Sequence, residues 1–219
     1  MKNKHRAITD EQKEQRRSVI IQVTAVLFTT KSYNAISMAE VAKYAGVAKG
    51  TLFLYFATKE ELFLALAWQG YEAFFSEFTL QLKKHSKTGN DCGIDQFIAM
   101  LRVAFIADAN LLRLMGIVSV ILEQNINFEV AFKFKSMLAH QVKETSILLG
   151  KIFPEWCPGE ALAFLLKLQA LAIGFQHLSE PSPVIREVIS MEGFELFNIQ
   201  FEDYFFSTLR EIIVGIGRK

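Results

Sequence analysis

The sequence predicts an all-α protein: a small three-helix head joined to a larger helical body. Three observations carry this. Capping boxes, in which Ser or Thr and a Glu or Gln three residues later satisfy the free amides of a helix start, occur at Thr9/Gln12, Ser37/Glu40 and Thr58/Glu61. Apolar residues recur at three- and four-residue spacing along nearly every segment, and no stretch alternates as a half-buried strand does. Prolines fall between those segments, as at Pro154 and Pro181.

In the head, Thr9 opens a helix that runs to about Thr30, with Ile20, Val23 and Leu27, flanked by Val19 and Val26, facing the other two helices. Ser32-Tyr33-Asn34 breaks it. Ser37 starts a short helix closed by Gly46, which supplies the left-handed residue of the turn. A second short helix follows from about Ala48 to Tyr55. Met38, Val41, Ala42 and Ala45 with Leu52 and Phe56 hold the pair together, leaving Lys49, Gly50, Phe53 and Leu54 outside. Two short helices around a glycine turn form a helix-turn-helix, whose second helix enters the DNA major groove.

The series Ala45-Gly46-Val47, Lys49-Gly50-Thr51-Leu52, Tyr55-Phe56 and Thr58-Lys59-Glu60-Glu61-Leu62 resembles the TetR family of transcriptional repressors. The resemblance covers roughly the first 60 residues. It implies a DNA-binding head at 1–58 and an effector-binding, dimerising body at 59–219. By resemblance Ser37, Lys49, Gly50, Thr51, Tyr55 and Lys59 meet DNA, with Tyr55 and Lys59 on phosphate. Phe53 and Leu54 are placed to touch a thymine methyl. Two positions depart from the family pattern: Ala48 stands where Ser or Thr caps the recognition helix, and Phe53 stands where Tyr is usual.

Charge supports this division. Residues 1–60 carry ten Lys/Arg against five Asp/Glu, whereas residues 61–219 carry fourteen against eighteen. A basic small end on an acidic large one is the footprint of a nucleic-acid-binding head. Lys2, Lys4 and Arg6 form a basic arm, read first as a solvated terminus and second as a minor-groove contact. Cys92 and Cys157 lie far apart without metal-ligand spacing and read as reduced thiols. The N-terminus lacks a signal-peptide core, and the apolar run 161–175 is read as too short to span a bilayer. The expectation is a cytoplasmic protein with no membrane partner.

The body reads as helices over 60–84, 94–107, 111–124, 127–152, 158–178, about 184–189 and 201–215, with a polar loop at 83–93. Asn127 caps one of them, and Pro158 sits at a first-turn position of another. Seventeen of the twenty phenylalanines lie in 61–219, mostly as core. Surplus apolar faces suit a homodimer, through Leu168, Leu171 and Phe175 with Phe201, Phe205, Leu209 and Ile212. They also suit a chamber for a small hydrophobic or aromatic effector, lined by Phe74, Phe105, Met115, Met137, His140 and Phe175. His177, Gln176 and Glu123 read as satisfied or surface residues. No phosphate loop, nucleophile elbow, metal-protease motif or cysteine pair occurs, so neither enzyme chemistry nor a cofactor or metal is expected. The reading is a ligand-responsive repressor of a palindromic operator. The alternative is a helical interaction protein of the same fold without specific DNA binding.

Overall fold

The computed structural model describes residues 10–157 and 159–216. Among them the chain is helical, without strands. The head holds α1 (Asp10–Thr30), α2 (Met38–Tyr44) and α3 (Lys49–Tyr55). The body holds α4 (Lys59–Ser86), α5 (Ile94–Phe105), α6 (Leu111–Val118), α7 (Phe128–Ile152), α8 (Glu160–Ser179), α9 (Pro183–Ile189) and α10 (Phe201–Ile216). Short 3-10 turns occupy Leu122–Asn125 and Glu195–Phe197.

Side-chain caps start α2, α4, α7 and α9. The Ser37 hydroxyl accepts the Glu40 amide, Thr58 accepts the Glu61 amide at 3.1 Å, and Asn127 accepts the Val130 amide at 2.9 Å. The Glu61 carboxylate reaches back to the Ala57 amide at 2.9 Å, which closes the box before α4. Thr9 and the arm with Lys2, Lys4 and Arg6 lie outside the described residues, as does Pro158. The eighth helix starts at Glu160 after Gly159, two residues beyond the expected position.

The long helix α4 is the spine. It packs on α1 near its start and on α5, α6 and α7 further along, and α8 lies against α6, α7 and α10. Leu62, Leu66, Phe74, Phe78 and Leu82 are all buried on it, as their spacing predicts. Phe63 is buried too, and its ring meets Phe28 of α1 edge-on at 5.3 Å and Tyr33 at 4.9 Å. A continuous apolar core therefore runs from Ile20 in the head to Ile216 in the body.

Four expectations need correction. In α1 the buried stripe is Ile20, Ile21, Thr24 and Phe28, whereas Val19 and Val26 are 41% and 69% exposed. Apolar residues encircle this helix, so spacing alone could not choose the inner face. The helix expected over 111–124 ends at Val118, where the β-branched residues Val118, Val120 and Ile121 lower helix propensity and a turn carries Leu122 into the core. Of the stripe expected to meet a second subunit, Phe205, Leu209 and Leu168 are buried inside the protomer. The exposed apolar residues of α8 and α10 are instead Leu162, Leu166, Leu178 and Tyr204. Finally, α8 has the length and apolarity to cross a membrane, although here it packs within the bundle.

Candidate functional site

The surface around α3 is built by burying its other side. Leu52 and Phe56 are inside the head core, so Leu54, two residues from Leu52 on this helix, points outward and is 85% exposed. Phe53 is 41% exposed, and the Lys49 ammonium lies 5.9 Å from its ring centroid. Gly46 has φ +67°, the left-handed turn expected between α2 and α3. A Cβ placed on Gly50 would meet nothing within 4 Å, so packing inside the protein does not require glycine there. Glycine costs about 1 kcal/mol relative to alanine in a helix interior. No side chain caps α3, as Ala48 foretells.

The remaining predicted contact residues divide. Ser37 is exposed beside its cap, and Thr51 and Tyr55 are half-buried at the edges of α3. Lys59 is turned inward: its ammonium donates to the Tyr33 carbonyl and lies 3.9 Å from the Tyr33 ring centroid. Burial lowers its pKa. The Tyr33 hydroxyl donates to Glu60 at 3.0 Å, and burial, helped by that carboxylate, raises its pKa. An ion pair of Lys31 with Glu40 ties the end of α1 to α2, and Lys31 holds the Glu40 carboxyl below its usual range.

A second polar cluster fastens head to body. The Arg113 guanidinium, on the otherwise apolar α6, donates to the Phe28 carbonyl and, at 3.1 Å, to the Lys31 carbonyl. It also lies 4.3 Å from the Phe28 ring centroid and 3.6 Å from a Glu180 carboxylate oxygen at the end of α8. The Asn110 amide donates to the Ala25 carbonyl at 3.1 Å. The last turns of α1 thus rest on α6. Sequence reasoning missed this clamp, although a lone arginine within Leu111-Leu-Arg-Leu-Met-Gly-Ile-Val118 was the signal for it.

Within the body, α4, α5, α6, α7 and α8 surround a cavity of about 30 Å³. Phe74, Phe105 and Met115 line it as predicted, together with Tyr71, Val142, Leu165 and Gln169. Met137, His140 and Phe175 do not. The inward stripe of α7 passes through Phe134, Thr145 and Leu149, which leaves His140 exposed and Met137 half-buried off it. Phe175 lies farther along α8, with its ring 6.2 Å from that of Tyr204. The space has room for a water or two, far below the several hundred Å³ of a typical ligand site. Among the described residues no group of His, Cys, Asp or Glu could hold a metal ion.

Residues 34–219 match the family model described as "Tetracyclin repressor-like, C-terminal domain". The helix-turn-helix-type transcriptional regulator YhgD of Bacillus subtilis is 25% identical over 184 residues, which cover 80% of this chain and 91% of YhgD. A second B. subtilis regulator of that type, YuxN, is 33% identical over 63 residues; the match covers 29% of this chain and only 22% of YuxN. A solved TetR-family regulator from Mesorhizobium loti superposes with a TM-score of 0.54 at 16% identity, covering 91% of this chain and 96% of that one. At that identity the likeness speaks for the fold.

Proposed function

The chain belongs to the TetR family of helix-turn-helix transcriptional regulators, and from that membership we propose that it represses transcription from a palindromic operator and lets go when a small apolar effector enters its body. In this reading residues 1–58 carry the DNA-facing surface and residues 59–219 the effector and dimer surfaces. The carrying observation is the outer side of α3, where Lys49, Gly50, Phe53 and Leu54 are all exposed, Leu54 at 85%. Lysine suits phosphate or guanine, and the two apolar side chains suit thymine methyl groups. We place Ser37, Thr51 and Tyr55 at the margin of the same contact. Lys59 joins it only if its ammonium leaves the Tyr33 carbonyl, so its role there starts from a competing bond.

A homodimer presents two such helices, which calls for a two-fold operator with half-sites about 34–36 Å apart or somewhat more. We assign the subunit interface to the free side of α8 and α10, where Leu162, Leu166 and Tyr204 are exposed. The effector reading rests on the cavity beside α4, because α4 begins at the head and passes along the chamber. Displacing it alters the head's orientation, and operator and effector must then weaken each other by the same factor.

The test is selection from random duplexes with the full chain, followed by titration at several salt concentrations. An enriched palindrome bound with a steep salt dependence is expected, because neutralised phosphates release counterions. Recovery of no palindrome overturns the repressor reading and favours a helical protein without specific DNA binding.

A further inference from the structure

The cavity lining carries a chemical preference that the apolar-effector reading does not specify. Tyr71 is only 4% exposed and lines the cavity, with its hydroxyl paired to Gln169, a second lining residue. The hydroxyl oxygen accepts the Gln169 amide across a loose 3.4 Å, and among the described residues no acceptor meets the hydroxyl hydrogen. A buried donor without an acceptor is costly, and a ligand oxygen would relieve it. The half-buried Gln169 stands opposite, able to turn an amide donor or acceptor to the same ligand atom. The rest of the wall is apolar: Phe74, Phe75, Phe105, Leu111, Met115 and Leu165.

Among the described residues no cationic side chain lines this space. Burial, helped by the Glu123 charge, raises the Tyr71 pKa. Asp108 lies 3.6 Å from where a Cβ on Gly70, the neighbour of Tyr71, would stand. Lys135 is held by Glu123 at 2.7 Å. A carboxylate or phosphate entering here would be desolvated without a cationic partner. The outer wall includes Leu166, 58% exposed, and half-buried Val142. Leu166 belongs to the face assigned above to the subunit interface, and the present space of about 30 Å³ holds only a water or two, so an effector enters by widening this space on its Val142 side.

We propose that Tyr71 and Gln169 form the polar end of the effector site, and that the site takes uncharged amphiphiles, an apolar body with a single hydroxyl or carbonyl, and rejects the matching anions. This rests on the effector reading above, and the experiment separates the two. Calorimetric titration of the full-length protein at pH 7.5 would compare 1-octanol, methyl octanoate, octanoate and the headless probe hexylbenzene. The expected result is that octanol and the ester bind at least 100-fold more tightly than octanoate. Tyr71→Phe and Gln169→Leu, both close in shape to the native residues, should each weaken octanol about 3- to 10-fold, the scale of one hydrogen bond, and leave hexylbenzene unchanged. Melting curves check that both variants fold. If octanoate binds as well as octanol, or if both variants bind octanol as the native protein does, the polar-end assignment is overturned while the chamber stands. If no probe binds, hexylbenzene included, the chamber itself fails, and operator binding in the same preparation is still read independently.

Discussion

Two leucines on the seven-residue α3 make the sharpest separation of stability from recognition. Leu52 is fully buried and Leu54 is 85% exposed. Truncating a buried leucine to alanine removes its transfer energy and leaves a cavity, so Leu52→Ala should cost about 2–5 kcal/mol. For a chain of this size each kcal/mol lowers Tm by about 2–4 °C. The loss should therefore reach roughly 4–20 °C. Leu54 has only the remaining 15% of its surface covered, and full burial of a leucine is worth about 1.5–3 kcal/mol, so Leu54→Ala should cost roughly 0.2–0.5 kcal/mol. Its Tm should move by under about 2 °C. On DNA the order reverses. Losing an apolar base contact costs about 1–3 kcal/mol, a 5- to 150-fold loss, at each half-site of the preferred sequence relative to a scrambled one. Thermal melts and competition gel shifts with both variants measure the two effects. A Leu54→Ala protein that melts more than about 4 °C low, or that discriminates among sequences as the native protein does, refutes this account of α3.

Two further substitutions probe assembly and coupling. Leu162→Glu, on the free side of α8, should convert a sedimenting dimer to monomer while the protomer keeps its helix content, because an unpaired charge in an interface core costs several kcal/mol; a variant that stays dimeric removes this surface from the interface. Arg113→Met keeps the apolar stem but loses the donors to Phe28 and Lys31, so it should lower stability by about 1–3 kcal/mol and speed hydrogen exchange at the end of α1, with unchanged exchange there as the contrary result.

The legibility of this chain follows its chemistry. Caps are local: the box at Ser37, the one at Thr58 and the Asn127 cap each need only three or four neighbouring residues, and each occurs where it reads. The outward set on α3 was legible for the same reason, because Leu52 and Phe56 fix its inner side. Faces of broadly apolar helices were not legible. In α1, Val19 and Val26 are as apolar as the buried Ile21, and only packing against Phe63 selects the stripe through Phe28. The same ambiguity carried Met137, His140 and Phe175 into the expected chamber. It also hid Tyr71 and Gln169, whose value lies in a pairing 98 residues apart in the sequence. Lys59 shows a different limit: its side chain answers to Tyr33, a residue of the loop after α1.

The seating of Phe63 between Phe28 and Tyr33 bears on how such regulators could exchange parts. A graft cut at residue 58 would carry the three head helices to a new body but leave behind the ring that plugs them. The transplanted head would show an open socket at Phe28 and Tyr33, and the donor body would expose a phenylalanine. A seam placed after Leu66 moves Leu62, Phe63 and Leu66, all buried, together with the residues they touch. Recombination between relatives should thus be tolerated inside α4, past its second turn, rather than at the loop that separates the halves.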